Sequence, residues 1–323
     1  MLAEKIIRGD MRATARLIRR IDDGEKGVFR ELALLYRHSG HAHIIGFTGS
    51  PGVGKSTLVD RVVTKFREDR KTVGVLAIDP TSPFTGGAIL GDRIRMQKHF
   101  MDDGVFIRSL ATRGTFGGLT RSTADAIIVM DAMGKDVIIV ETVGVGQDEV
   151  DIVHNAHTTV LVTVPGMGDD IQAIKAGLME IGDLFVVNKA EREGSAKTVR
   201  EIRSMLEMSG EKYKDSGWMP PVIATAALEN QGIEELYQAI LEHRRHLQAH
   251  NNDKLVKLEK NRIRKQLLDL LKENLMETAL EKLGGEDTLE RVVNEIVARD
   301  KDPYGASSEL VDKLLGGTPI GRE

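Results

Sequence analysis

The run Gly49-Ser50-Pro51-Gly52-Val53-Gly54-Lys55-Ser56-Thr57 fits the pattern G-x-x-x-x-G-K-S/T, and its flanks leave few folds open to the chain. Ahead of it, Ala42-His43-Ile44-Ile45-Gly46-Phe47 reads as a buried strand. Behind it, Thr57-Leu58-Val59-Asp60-Arg61-Val62-Val63 reads as an amphipathic helix. Glycines at 49, 52 and 54 let the backbone curl so that consecutive N–H groups face a phosphate, which the loop delivers to the positive end of the helix. A nucleoside triphosphate is therefore the expected ligand. Lys55 is placed to reach its β- and γ-phosphates, and Ser56 to ligate Mg²⁺.

The remaining pattern alternates. Strand candidates fall at 42–47, 72–79, 105–109, 136–141, 158–165, 184–188 and 221–225, with helix-length segments between most of them. This predicts an α/β P-loop NTPase fold with a mostly parallel central sheet flanked by helices, plus helical extensions at both ends. Residues 1–40 form two helical patterns split at Asp22-Asp23-Gly24. The nucleotide domain is expected over 41–245 and a helical region over 246–323. In that last region Leu255, Leu258, Ile263, Leu267, Leu270, Leu271 and Leu275 line one long segment. A second spans Thr288 to Arg299, and a third, after Pro303, spans Ser307 to Leu315. An apolar stripe of this kind folds back on its own chain or meets a second copy.

Composition removes several functions. The net charge of -4 gives no basic footprint, so nucleic acid is not expected as a partner. With no cysteine there are no disulfides, thiolate metal sites or cysteine nucleophiles, which fits a reducing cytoplasm. The first ten residues mix acids and bases without an apolar run, and no window approaches a membrane span, so neither a secretory signal nor a membrane partner is expected.

A P-loop alone leaves ATPase, GTPase and kinase open. Asp136-Val137-Ile138-Ile139-Val140-Glu141 is an apolar strand ending in an acid, with Gly144 three residues on. Glu141 is a candidate for holding Mg²⁺, and the N–H of Gly144 for sensing the γ-phosphate, with 145–150 behind it as a switch. Asp79 ends the second strand, and Asp92 lies in the glycine-rich segment after it; both suit Mg²⁺ and water near the γ-phosphate. Asn188-Lys189-Ala190-Glu191 follows a buried strand and matches the guanine pattern N-K-x-D with one extra methylene. A carboxylate there pairs with guanine N1–H and its exocyclic amine, which adenine cannot reciprocate. Thr225-Ala226-Ala227 closes the last strand, placing backbone N–H groups near the guanine carbonyl oxygen.

These motifs, with Ile7-Arg8-Gly9-Asp10, Asp79-Pro80-Thr81-Ser82-Pro83, Gly91-Asp92-Arg93, Glu141-Thr142-Val143-Gly144-Val145-Gly146-Gln147, Pro165 to Gln172 and Asp302-Pro303-Tyr304, resemble the MeaB-type GTPases over nearly the whole chain. The human MMAA-type proteins are relatives, and members are also labelled ArgK or LAO/AO transport kinases. The resemblance implies a homodimeric G-protein that gates cobalamin delivery to an adenosylcobalamin-dependent acyl-CoA mutase and protects or reactivates it. It assigns Asp79, Asp92 and Glu141 to the Mg²⁺ and switch network, and Asn188, Lys189 and Glu191 to the base. It also makes 166–175 an additional switch loop, with Lys175 a contact to nucleotide or switches. Where small GTPases carry a water-orienting Gln directly after the switch glycine, this chain has Val145, so intrinsic hydrolysis is expected to be slow, with Gln147 the candidate to swing in.

Three rivals stand beside this reading. A metal-insertion GTPase would need exposed ligands; His243, His246 and His250 have helical spacing but read with Arg244 and Arg245 as a solvated face, and His38, His41 and His43 form a second cluster. A transport-associated kinase or ATPase would need an acceptor site that no segment supplies. A binding module with structural nucleotide would show no turnover.

Overall fold

Runs such as Val137-Ile138-Ile139-Val140 and Leu184-Phe185-Val186-Val187 have no polar face, so they can only be strands covered on both sides. The computed structural model describes residues 1–25, 27–80, 96–99, 101–112, 118–142, 156–166, 182–210, 213, 217–249 and 253–315. The strands are β1 (His43–Thr48), β2 (Val73–Pro80), β3 (Val105–Thr112), β4 (Val137–Thr142), β5 (Thr158–Thr163), β6 (Leu184–Asn188) and β7 (Val222–Thr225). Among the described residues these seven form one sheet in the order β3-β2-β4-β1-β5-β6-β7, each neighbouring pair parallel. The expected fold is therefore observed, with strand ends shifted by a few residues.

Strand alternation sorts the core into two layers. On one face Ile44, Leu76, Ile138 and Val140 pack with Ile6, Leu17, Ile18, Leu35 and Met130. These come from α1 (Leu2–Ile7), α2 (Met11–Asp22), α3 (Val28–Tyr36) and α5 (Gly118–Ala132). On the other face Ile45, Val75, Ile139 and Val186 pack with Leu58, Val62 and Ile240 from α4 (Lys55–Glu68) and α7 (Ile233–Ala249). A smaller cluster sets Leu161, Phe185 and Val187 against Ile202 and Leu206 of α6 (Ser195–Met208).

The first helical pattern is two helices rather than one. Gly9 takes φ +85°, and the Asp10 carboxylate accepts the N–H groups of Arg12 and Ala13 at 2.9 and 3.0 Å, capping α2 afresh. Glu31 of α3 then accepts the Leu2 and Ala3 N–H groups, closing the three helices on one another.

The chain divides into two compact units, Met1–Arg262 and Ile263–Glu323. The second contains the end of α8 (Asp253–Leu283), then α9 (Glu286–Val297) and α10 (Pro303–Leu314). The last helix starts at Pro303, four residues before the expected Ser307, because proline suits the first helical position and Asp302 caps Tyr304 and Gly305. Leu267, Leu271 and Leu275 stay exposed and α9 buries nothing, so this unit carries uncovered apolar surface. Among the described residues no helix is long and apolar enough to cross a membrane.

Candidate nucleotide site

The parallel register brings the ends of β1, β4, β6 and β7 to one edge of the sheet. Loops at these carboxyl ends are where such sheets bind ligands. Gly49, at φ +138°, follows β1 so closely that a Cβ would lie 2.0 Å from the Val162 carbonyl oxygen. Gly54, at φ +95°, would drive one to 2.4 Å from Asn188 Nδ2. The loop thus needs glycine for its turn and for its neighbours alike. Ser50, Pro51 and Gly52 form its open rim, Val53 is buried, and Thr57 lies half-buried in the first turn of α4. Lys55, the first residue of α4, is buried and donates its ammonium to the Gly49 and Ser50 carbonyls at 2.5 and 3.0 Å, folding its arm across the loop.

Pairing of Phe47 with Glu141 sets that acid beside the loop. Ser56 donates its hydroxyl to Glu141 Oε1 at 2.6 Å, both residues being buried. A hydroxyl and a carboxylate in contact at a phosphate loop are the hard oxygen donors that suit Mg²⁺, which takes one or two protein ligands beside water and phosphate. The donor set therefore fits the ion. Asp79 lies at the carboxyl end of β2, on the same sheet edge. Asp92, Gly144, Gln147 and Lys175 lie outside the described residues.

Asn188 and Thr225 are register partners at the ends of β6 and β7. Buried Asn188 donates to the Val53 carbonyl at 2.8 Å and accepts from the Thr225 hydroxyl at 3.1 Å and the Ala227 N–H at 3.3 Å. It is a brace between the loops, with one amide N–H left over. Lys189, at φ +56°, reaches the Gly52 carbonyl at 2.7 Å and so lies along the rim. Glu191 is exposed beside it. The Ala226 N–H donates to the Gln231 carbonyl at 3.1 Å, and Ala227 has the longer bond to Asn188, so both groups are engaged by the protein in this conformation.

The sequence reading missed Asp60, on the buried side of α4. Lys98 and His99 approach its carboxylate at 2.7 and 3.2 Å, tying the turn Gln97–His99 to the helix that carries Lys55 and Ser56. Burial pushes this carboxyl up, but the hydrogen bonds from His99 and Lys98 outweigh it and hold it below the ordinary 3.8. An acid one turn past Ser56, on a face otherwise apolar, was the available signal.

The histidines are not the solvated face expected. His243 is buried: its Nδ1 lies 2.9 Å from the Thr158 hydroxyl, which lies 2.8 Å from His43 Nε2, and its Nε2 lies 3.5 Å from Asp183. Trp218 packs against both His243 and His246. His43, Thr158 and Asp183 stand at or just before strand starts, at the sheet edge away from the phosphate loop. Helical spacing was right, but the pattern does not reveal which face turns inward. His38 and His41 are exposed, apart from buried His43, and His250 lies outside the described residues. Among the described residues no group of three or more His, Asp or Glu is placed to hold a metal.

Against this geometry, the family model for the methylmalonyl-CoA mutase-associated GTPase MeaB matches residues 22–283. The chain belongs to the MeaB family of GTPases. A Pyrococcus abyssi protein named as a GTPase is 48% identical over 316 residues, covering 98% of this chain and 97% of that protein. The methylmalonic aciduria type A homolog of Caenorhabditis elegans, named as mitochondrial, is 37% identical over 202 residues, 61% of this chain and 50% of that one. The crystal structure of an LAO/AO transport system kinase shares the fold, with a TM-score of 0.68 at 23% identity over 97% of this chain and 96% of that one. As a MeaB-family member, the chain is a GTP-hydrolysing P-loop enzyme whose family binds nucleotide with Mg²⁺.

Proposed function

We propose that this GTPase gates cofactor delivery to, and protects or reactivates, an adenosylcobalamin-dependent acyl-CoA mutase of the methylmalonyl-CoA type, working as a cytoplasmic homodimer. The observation that carries the reading is the match of 22–283 to a family defined by association with that mutase, joined to a chain in which base loop and phosphate loop are braced by one side chain.

In this reading Lys55 leaves the Gly49 and Ser50 carbonyls for the β- and γ-phosphates. Ser56 and Glu141, with Asp79 and Asp92, hold Mg²⁺, which when bound neutralises phosphate charge. Lys189 flanks the base along the rim, Glu191 pairs with guanine N1–H and amine, and Ala227 turns its N–H to the guanine oxygen. Gly144 senses the γ-phosphate, Gln147 orients water, and Lys175 contributes charge from its loop. With Val145 after the switch glycine, turnover alone is slow and the mutase quickens it. The uncovered apolar surface of 263–323 supports a second copy as its cover.

The test is cofactor loading. Apo-mutase mixed with this protein and adenosylcobalamin should load the cofactor at a rate that differs between GTP and a non-hydrolysable analogue. Loading indifferent to nucleotide contradicts the proposal.

A further inference from the structure

The 3-10 turn Ala227–Glu229 after β7 carries the candidate base contact; Ala227 is buried in the core at its start, but packing stops there. Leu228 is 80% exposed, and Glu229 and Asn230 face solvent. Its backbone bonds gather on Ala226, which exchanges bonds with Gln231 at 3.1 and 3.2 Å and accepts the Glu229 N–H at 3.0 Å, whereas the Ala227 carbonyl receives only the Asn230 N–H at 3.4 Å from within the turn. From outside, Arg61 of α4 donates Nε to the Ala227 carbonyl at 3.0 Å and Nη2 to the Leu228 carbonyl at 3.4 Å. Among the described residues Arg61 pairs with no carboxylate. A permanently charged guanidinium is thus directed at two backbone carbonyls, a use for which its planar fork is suited.

The consequence lies in Ala227. Its carbonyl is held from α4 by Arg61, and its N–H from β6 by Asn188. The contacts close a ring: Val53 to Asn188, Asn188 to Ala227, Ala227 to Arg61, and Arg61 along α4 back to Lys55 and the loop. The geometry points to Arg61 as a positioning residue for base selectivity, fixing from the phosphate-binding helix the turn that reads the 6-oxo group of guanine. This rests on the guanine reading above and adds the residue that sets its sharpness. Arg61 keeps the Ala227 carbonyl in place while its N–H passes from the 3.3 Å bond to Asn188 to the base oxygen, which lowers the ordering cost of binding a 6-oxo base and leaves 6-amino bases without that gain.

The experiment measures affinities of the full chain for GDP, IDP and ADP by competition against a fluorescent nucleotide. In Arg61→Ala, GDP and IDP, which both carry the 6-oxo group, should weaken about tenfold while ADP changes less than about twofold, the scale expected for losing charge-assisted hydrogen bonds. Arg61→Lys, keeping charge and one reachable donor, should fall between. A GDP-to-ADP ratio unchanged from wild type in both variants overturns the inference, whether both affinities fall together or neither does. If Arg61→Ala does not fold, as read by circular dichroism, the ratio in Arg61→Lys decides alone. Wild-type protein with no preference for GDP over ADP would instead remove the guanine reading itself, before any substitution is made.

Discussion

Asn188 donates its side-chain amide to the Val53 carbonyl at 2.8 Å, so the candidate base loop after β6 and the candidate phosphate loop after β1 share one buried strut. Because its carbonyl also collects Thr225 and Ala227, removing the side chain strands partners on three segments. Asn188→Ala is expected to cost about 2 kcal/mol of stability, the scale for leaving buried polar groups unpaired, and to weaken GDP at least tenfold. Urea denaturation and nucleotide titration check both, and wild-type values in each would contradict the brace.

Glycines 52 and 54 share a left-handed backbone but differ in surroundings. A Cβ on Gly52 meets nothing within 4 Å, whereas one on Gly54 falls 2.4 Å from Asn188 Nδ2. Gly52→Ala should cost only the backbone term, roughly 1 kcal/mol. Gly54→Ala should also dislodge Asn188 and abolish tight nucleotide binding. Equal effects at the two positions would show that the close approach is unimportant.

Ser56 and Glu141 should share one Mg²⁺ dependence. Their 2.6 Å contact joins two hard donors, so Ser56→Ala and Glu141→Gln should each lower GTP turnover at saturating nucleotide by about tenfold or more. Raising Mg²⁺ should restore part of the loss. Turnover insensitive to either substitution would remove both from the ion's donor set.

Acid stability should follow the histidines at the far sheet edge. Burial holds His157 down to about 4 and His43 well below 6.5, while burial pushes Asp183 up to about 7. As pH falls from 6.5 toward 4, the unfolded chain takes up two imidazole protons that the fold withholds, which costs stability. Asp183 acts in the opposite sense, its contribution full at low pH and lost as pH rises through about 7. Two withheld protons outweigh one retained, so the urea midpoint should drop between pH 6.5 and 4.5. His157→Gln should flatten that drop and Asp183→Asn steepen it; a flat wild-type profile would contradict the burial argument.

Strand positions and the phosphate loop were legible because their signals are local: a buried parallel strand is a continuous apolar run, and the loop's glycines and lysine sit at fixed spacing. Contacts that depend on register were not. Asn188 is visible as part of a base motif, but its hold on Val53 is a bond to a backbone carbonyl 135 residues away, and carbonyls carry no sequence signature. His243 read as solvated because helical spacing gives a face without saying which way it turns. The break at Gly9-Asp10 was readable as a stop followed by an N-cap, yet the apolar spacing ran across it and suggested one helix.

The most direct measurement is GTP and ATP turnover by the purified protein, alone and with an adenosylcobalamin-dependent acyl-CoA mutase of the methylmalonyl-CoA type. The account predicts slow turnover of GTP, little of ATP, and a several-fold rise with the mutase. GTP turnover that the mutase leaves unchanged would contradict it.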